Sequence, residues 1–340
     1  MKALVTGGYF DDCGDGIVWL VDLASGRSDV LLRWQPPAHL RLPAKGLAGA
    51  SLHDDTLYAA AHAAIVRIDL ARANVTGVLH QPCMNDLHHV SVLGERLVVS
   101  NTGLGSVDVF GLDGVFVGSH ALIPGWTTAW RMSGSEPPDR WAGVLDAGWT
   151  GSAPTAWPAA AGDAYYSCDL AAPFHQRKVR DHLHVNHVTS DGDRMIATCF
   201  ADGSLREIGK FELLWRRPGA FVHDGVVDGA SFWLTAIDGA VIELDATTFS
   251  VRSQLQVFDT GRRGWCRGLA VRGDHLLVGL TEVRRERLPR HRWADHDPDG
   301  SETSVLLLDR HDGRLLARVE LTDRERHSKL YSIIPLEDSA

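Results

Sequence analysis

The chain lacks the features that would mark a membrane, secreted or zinc-ribbon protein. It contains no apolar run of the ~20 residues that a membrane-spanning helix needs. Its start, MKALVTGGYF, lacks the charged, apolar and small-residue order of a signal peptide. Its five cysteines are scattered and form no CxxC pair, which gives neither a zinc ribbon nor a disulfide framework. We therefore expect a cytoplasmic protein with no membrane partner.

Positive charge is also scarce. The 34 Lys and Arg residues are outnumbered by 43 Asp and Glu residues, for a net charge of −9, whereas nucleic-acid binding needs clustered basic side chains. The chain has no Walker loop, no GxGxxG after a strand, no GxSxG and no HExxH. We expect no nucleic-acid partner, and a small-molecule substrate bound at a site of another kind.

What the sequence does contain is a repeat of four short apolar strands separated by turns rich in Gly and Asp. One copy begins at Leu87 and reads LHHVSVLGE, RLVVSNTG, SVDVFGLDG and VFVGSHAL. The same order begins near Lys45, Val185, Phe221 and Trp265. Such copies are typical of the blades of an all-β propeller.

A sixth copy is split between the two ends of the chain. The N-terminus supplies three strands, ALVTGGYF, GIVWLVDLASG and RSDVLLRW, and KLYSIIPLED near the C-terminus supplies the first. Pairing of the two ends would close the ring and leave no open terminal blade. We predict one all-β domain over residues 1–340, a six-bladed β-propeller whose C-terminal strand pairs with the N-terminal blade. Seven blades are an alternative if segment 120–182 contains a degenerate copy.

Two insertions interrupt the repeat. Segment 120–182 is rich in tryptophan, and a long loop in a compact domain is usually functional. It is predicted to be a lid over the site, with a packed excursion or a partner-binding surface as alternatives. The second insertion, 284–302, contains DHDPDGSE, which lacks the spacing of a calcium loop, so we expect a solvated loop.

Three histidines stand out in the strands that would line the central channel. Counting back from the closing turns of three copies aligns His89, His187 and His223. Neutral imidazoles suit zinc, iron and copper, and three of them leave a coordination position open for water or substrate. The sequence predicts a divalent transition metal on these histidines, zinc first, with iron or copper as alternatives. A hydrogen-bonded polar channel without metal is the competing interpretation.

Other polar residues lie beside these histidines in the sequence. Arg267 could bind a carboxylate or a developing oxyanion, and Tyr331 and His184 could move protons. Aspartates nearby, Asp86 among them, could accept hydrogen bonds from ligating imidazoles. Four further residues are predicted to contact the substrate: Asn186, Asp224, His88 and Trp265.

Several strings resemble the blocks of an uncharacterised bacterial family of six-bladed propellers. They are LHHVSVLGERLVVSNTG, HVNHV, HDGVVDGASFWLTAIDG and GWCRGLAVRGDHLLVGL, and the resemblance runs from residue 85 to the C-terminus. FVHDG stands where the family would have a proline before the histidine. The resemblance implies that the signature residues include His89, His184, Asn186, His187, His223, Asp224 and Arg267.

The candidate site is also similar to the zinc site of peptidyl-hydroxyglycine amidating lyase, another six-bladed propeller. That likeness is one of site and not of sequence, and a shared fold does not give a function. We predict a metal-dependent lyase or hydrolase acting on a small polar metabolite. A non-catalytic propeller that binds a protein or ligand on its top face and a His-ligated iron oxygenase are the alternatives.

Overall fold

The computed structural model describes residues 1–11, 13–81, 84–122, 183–210, 212–261, 263–285, 301–323 and 326–337. Most of the Trp-rich segment and most of the second insertion lie outside these ranges. The predictions of a lid and of a solvated loop therefore fall outside the described residues.

The described residues form six antiparallel sheets of four strands each. The innermost strands of neighbouring sheets contact one another in an unbroken circle. The fold is a six-bladed β-propeller, as predicted, and no seventh blade is present in the described part of the chain.

The N-terminal blade combines strands from both ends of the chain. With strands numbered in chain order, its sequence from the channel outward is β24 (Ser328–Pro335), β1 (Lys2–Tyr9), β2 (Gly16–Asp22) and β3 (Arg27–Trp34). The predicted closure of the ring by the C-terminal strand is confirmed. Because β24 pairs with β1, the two ends of the chain are joined in one sheet.

The other five blades follow the chain in order, and each also runs from the channel outward. The second is β4 (Ala50–His53), β5 (Thr56–Ala60), β6 (Ile65–Asp69) and β7 (Asn74–Leu79). The third is β8 (Leu87–Leu93), β9 (Arg96–Asn101), β10 (Ser106–Gly111) and β11 (Phe116–Ala121). The fourth is β12 (Val185–Ser190), β13 (Met195–Cys199), β14 (Ser204–Glu207) and β15 (Leu213–Arg216). The fifth is β16 (Val222–Asp228), β17 (Ser231–Ala236), β18 (Ala240–Asp245) and β19 (Val251–Gln256). The sixth is β20 (Trp265–Arg272), β21 (His275–Thr281), β22 (Ser304–Asp309) and β23 (Leu315–Glu320).

Helical structure in the described ranges is confined to short 3₁₀ turns. They cover Ala38–Leu40, Thr102–Leu104 and Val257–Thr260. None of the helices found in these ranges has the length and apolar character to span a membrane.

The core lies between neighbouring blades. The middle strands are buried on both faces, as β17 shows along its whole length, because each sheet packs against a sheet on either side. The outermost strand β7 instead alternates exposed and partly buried positions. One interblade cluster joins Val5 and Trp19 of the first blade to Leu277 of the sixth and to Leu330 of the closing strand.

Leu330 gives a test of how much the closing strand stabilises the ring. Its side chain is fully buried between the first and sixth blades, so Leu330→Ala should lower the free energy of unfolding by ~2–5 kcal/mol. Leu316→Ala is the control, because Leu316 on the outermost strand of the sixth blade is 37% exposed. The midpoint of urea denaturation measures both. Equal midpoints would show that the closing strand adds no stability through this contact.

Candidate functional site

The inner strands of five blades share one irregularity, a β-bulge at the same height. In β8, Leu87 is opposite Asn101 and Val90 is opposite Val99. The inner strand thus advances three residues where its partner advances two. The same step occurs in β12, β16, β20 and β24. A bulge of this kind bends a strand and turns side chains that regular pairing would hold in the ladder.

Two residues of each inner strand lie inside the bulge. The first bulge position holds Tyr331, His88, Asn186, His223 and Arg267. The second bulge position holds Ser332, His89, His187, Asp224 and Gly268. Every residue at the first position has a side chain that can donate hydrogen bonds, and all five of these residues are buried.

This register corrects one part of the predicted alignment. His89 and His187 do occupy one position, but His223 lies one residue earlier, and Asp224 is their true counterpart. The backbone N–H groups of His187 and Asp224 make the same hydrogen bond, each donating over 3.1 Å to a threonine hydroxyl of the next strand. The strands β8 and β16 end in turns of the same length, and His89 and Asp224 each lie four residues before the end of their strand, which places His223 one residue out of step.

Three buried residues bring potential metal-binding atoms close together. One ligand atom each from Asp86, His88 and His184 lies within 4.8 Å of the other two, which holds for no other such group in the ranges that the structure describes. Asp86 and His184 take the same place in adjacent blades, because each lies two residues before the first bulge position, which is His88 in one blade and Asn186 in the other. Both have left-handed backbone conformations, with φ of 51° and 49°.

The protonation of this group suits a metal. Nδ1 of His88 lies 2.7 Å from the backbone carbonyl oxygen of Asp86. Because a carbonyl can only accept, Nδ1 carries the proton and Nε2 keeps its lone pair, the arrangement usual in ligating histidines. Burial holds the pKa of His88 well below its usual range, so its ring is neutral at pH 7.

Asp86 supplies the anionic member of the group. Its Oδ1 forms an ion pair with Lys45, while its buried Oδ2 accepts no hydrogen bond from the described residues. Burial alone would raise the pKa of Asp86, but Lys45 and His88 lower it well below its usual range. A carboxylate oxygen and two imidazole nitrogens form a donor set that fits zinc or iron.

Aromatic side chains continue from this group around the channel. The rings of His88 and His184 meet edge to face at 4.5 Å between centroids, and Phe200 lies 5.2 Å beyond His184. Phe200 in turn stacks on Trp265 at 5.8 Å with an angle of 7° between the planes. These distances are those of favourable aromatic pairs.

Arg267 and Tyr331 complete the circle. The Arg267 guanidinium lies 5.9 Å from the Trp265 ring and 4.1 Å from the Tyr331 ring, and Tyr331 lies 6.4 Å from His88. Arg267 is fixed by its Nε, which donates to the Thr281 hydroxyl over 3.1 Å. Six side chains from four blades therefore form a closed ring, which we call the channel circuit.

The channel circuit contains five of the predicted catalytic or substrate-binding residues and one that sequence reasoning missed. The structure brings together Arg267, Tyr331, His184, His88 and Trp265, and adds Phe200. Burial would raise the pKa of Tyr331, yet Lys329, Arg267 and Lys45 lower it to about 7.

A second histidine cluster lies at the second bulge position. The rings of His89 and His187 overlap at 3.7 Å with 34° between their planes. Nδ1 of His223 donates to the Asp224 carboxylate over 2.8 Å, and that carboxylate also accepts the Gly268 N–H over 2.6 Å. Metal binding by His89, His187 and His223 together stays a prediction.

Two of the predicted substrate-binding residues, Asn186 and Asp224, interact with other residues of the inner strands. The Asn186 amide donates to the backbone carbonyl of Val222 in the next blade over 3.3 Å. Burial alone would raise the pKa of Asp224, but His223, His187 and the Gly268 N–H bring it down to about 2. Their predicted contact with a substrate stays a prediction.

Asp86 was expected only to orient a ligating imidazole, and the structure instead makes it a candidate ligand. The signal that points to it is the pattern Asp-x-His, which opens the inner strand two residues before His88. Sequence periodicity does not show that this aspartate and a histidine from the next blade meet.

Comparison with known proteins supports the fold. No family model and no curated protein matches the chain, so the likeness to a bacterial propeller family stays a prediction. A solved protein of unknown function from Bacteroides caccae is 8% identical, with a TM-score of 0.62 and 99% of each chain covered.

Two further solved structures have the same shape. A chain of a nidogen–laminin complex is 11% identical, with a TM-score of 0.57 and coverage of 98% of this chain and 97% of that one. A candidate 6-phosphogluconolactonase from Bacteroides uniformis is 12% identical, with a TM-score of 0.51 and coverage of 94% and 83%. At these identities the likeness shows the fold alone.

Gly49 offers a test of how tightly the second cluster is packed. A Cβ at this position would lie 2.3 Å from Cδ2 of His89 and 2.6 Å from the backbone oxygen of His88. Gly49→Ala should therefore destabilise the protein by ~1–3 kcal/mol in urea denaturation. Gly118→Ala is the matched control, because no atom lies within 4 Å of its added Cβ. If both variants unfold at the same midpoint, the His89 ring is free to move aside.

Proposed function

We propose that this protein is a metal-dependent hydrolase of a small polar metabolite, with the metal held by Asp86, His88 and His184. The observation that carries the proposal is the channel circuit, in which two of these ligands, His88 and His184, lie in one closed ring with an arginine and a tyrosine, and Asp86 lies beside the two histidines. Metal, oxyanion-binding and proton-transferring groups side by side are what ester or lactone hydrolysis uses.

The three proposed ligands suit a catalytic ion better than a purely structural one. Three protein ligands leave a coordination position open, whereas structural zinc sites use four. When bound, the ion supplies Lewis acidity to a substrate carbonyl oxygen. The ion pair between Lys45 and Asp86 holds the carboxylate in its ionised form, which is the form that binds a metal.

The remaining polar residues of the circuit act on the substrate. Arg267 binds a substrate carboxylate or the oxyanion that develops when a carbonyl is attacked, and its contact with Thr281 fixes the guanidinium. Tyr331 lies between Arg267 and His88, where its hydroxyl group donates a proton to the leaving oxygen.

Two proteins of the same fold favour hydrolysis over elimination as the proposed reaction. Two of the fold neighbours, from Bacteroides uniformis and Bacteroides fragilis, are candidate 6-phosphogluconolactonases. Their low identity gives no residue correspondence, so they support the reaction class and nothing finer. Lactones are accordingly the first substrates to test.

The metal assignment predicts which histidines are needed for metal binding. Wild-type protein expressed with zinc, iron, copper and manganese supplied should hold about one ion per chain by elemental analysis. His88→Ala and His184→Ala should lose it, while the neighbouring variants His89→Ala and His187→Ala should retain it. Circular dichroism establishes that each variant is folded.

Two results would contradict this assignment. Metal retained in His88→Ala and His184→Ala but lost in His89→Ala and His187→Ala would move the site to the second histidine cluster. Absence of stoichiometric metal from the wild-type protein would remove the metal-dependent reaction altogether.

The reaction assignment predicts acid release from a lactone. The metal-loaded protein is offered a panel of esters and lactones, including 6-phosphogluconolactone, and acid is titrated at constant pH. Arg267→Gln should lower kcat/KM by ~10²-fold, the usual effect of removing an oxyanion-binding donor. Arg314→Gln, on an exposed turn, is the control and should leave it unchanged. Products that contain a new double bond would contradict hydrolysis and indicate a lyase.

A further inference from the structure

We infer that the ligand of the channel circuit is an organic anion with a flat aromatic portion. This inference rests on the proposed function, because it names the substrate class of the same site. It is based on the distribution of side chains in and around the circuit, where basic side chains lie on one half and aromatic side chains lie on the other.

One half is cationic. Arg267 belongs to the circuit, Lys45 contacts Asp86, and Lys329 is the residue two before Tyr331 on the closing strand. Lys329 is only 4% exposed, and Arg267 only 7%. The positive charges of Arg267 and Lys329 act on one buried tyrosine, beside the ion pair of Lys45 with Asp86, and they favour a negatively charged ligand group.

The other half is an aromatic wall made of Phe200, Phe221 and Trp265. Phe200 stacks on Trp265, and Phe221 leans on Phe200 with 5.2 Å between centroids and 41° between planes. Phe200 is buried, whereas Phe221 and Trp265 are each partly exposed. The wall therefore presents aromatic surface that a flat ring can contact by stacking or by its edge.

The backbone ties this wall to the proposed metal ligands. Phe221 has φ of 48°, almost the same as Asp86 and His184, and all three occupy the same place before the bulge in successive blades. A left-handed conformation is unusual for a bulky residue and is costly unless its surroundings impose it. The fold thus holds an aromatic ring at the position that supplies ligands in the two preceding blades.

The two halves touch, so a small ligand can contact both. Trp265 lies 5.9 Å from the Arg267 guanidinium, and Phe200 lies 5.2 Å from the His184 ring. Aromatic faces are electron-rich and attract cations rather than anions. A ligand with both features would therefore place its negative group towards Arg267 and Lys329 and its ring against the aromatic wall.

Four probes separate the contributions of charge and ring: phenylacetate, acetate, cyclohexylacetate and the neutral phenylacetamide. Their affinities for the metal-loaded full chain are measured by isothermal titration calorimetry. Phenylacetate should bind roughly tenfold more tightly than acetate, because of the aromatic contact. It should bind more tightly than phenylacetamide because of the cationic half, and more tightly than cyclohexylacetate because the wall favours a flat ring.

Variants assign the two effects to the two halves. Trp265→Leu should bring the affinity for phenylacetate down towards that for acetate, and Trp215→Leu, on the outer strand of the fourth blade, should leave the ratio unchanged. Lys329→Gln should weaken phenylacetate and leave phenylacetamide unchanged.

Three results would each overturn the inference. Phenylacetate could bind no more tightly than acetate, it could bind no more tightly than cyclohexylacetate, or it could show no binding in the millimolar range. Failure of the proposed function is seen separately, since it shows as absent metal in elemental analysis or as absent acid release, whatever the ratio of affinities.

Discussion

The candidate site depends on one constraint, the extra residue that the inner strand of five blades inserts opposite its partner. A regular strand would keep these residues in the ladder, with side chains alternating between the two faces of the blade. The bulge interrupts that alternation at the same height in five blades. Tyr331, His88 and Arg267 reach their places in the channel circuit from this position. Because the same bulge recurs in five inner strands, chemically different side chains from several blades come together at one height in the channel.

Burying so many polar groups is costly, and the structure offsets the cost with specific partners. Asp86 is ion-paired with Lys45, and Asp224 accepts from His223 and from the Gly268 backbone. Apolar residues of similar size would serve a purely structural channel at least as well, since buried ionic groups are weak contributors to stability. The buried charged groups of the inner strands are therefore a further argument for the proposed binding site.

The two histidine clusters differ in what surrounds them, although they are adjacent along the chain. His88 lies beside Asp86, His184 and Tyr331. Asp86 is negatively charged, and His184 contacts Phe200 of the aromatic wall. His89 instead lies against Gly49 and stacks on His187, so close packing defines its environment. Adjacent residues in a bulge thus enter unlike environments. His88 belongs to a candidate metal site, whereas His89 belongs to a closely packed cluster.

The sequence by itself determined the six blades, the closure by KLYSIIPLED and the inward position of the site, because strand periodicity and turns are local and repeat visibly. It also singled out His88, His184, Arg267, Tyr331 and Trp265 as candidate site residues, since they lie at or beside the inner-strand positions that were expected to line the channel. Only the tertiary structure decided that His223 is out of step with His89 and His187, because strand register depends on pairing with a neighbour. It alone grouped Asp86 with histidines from two blades and set Phe200 beside them, because contacts between blades leave no periodic trace in the chain.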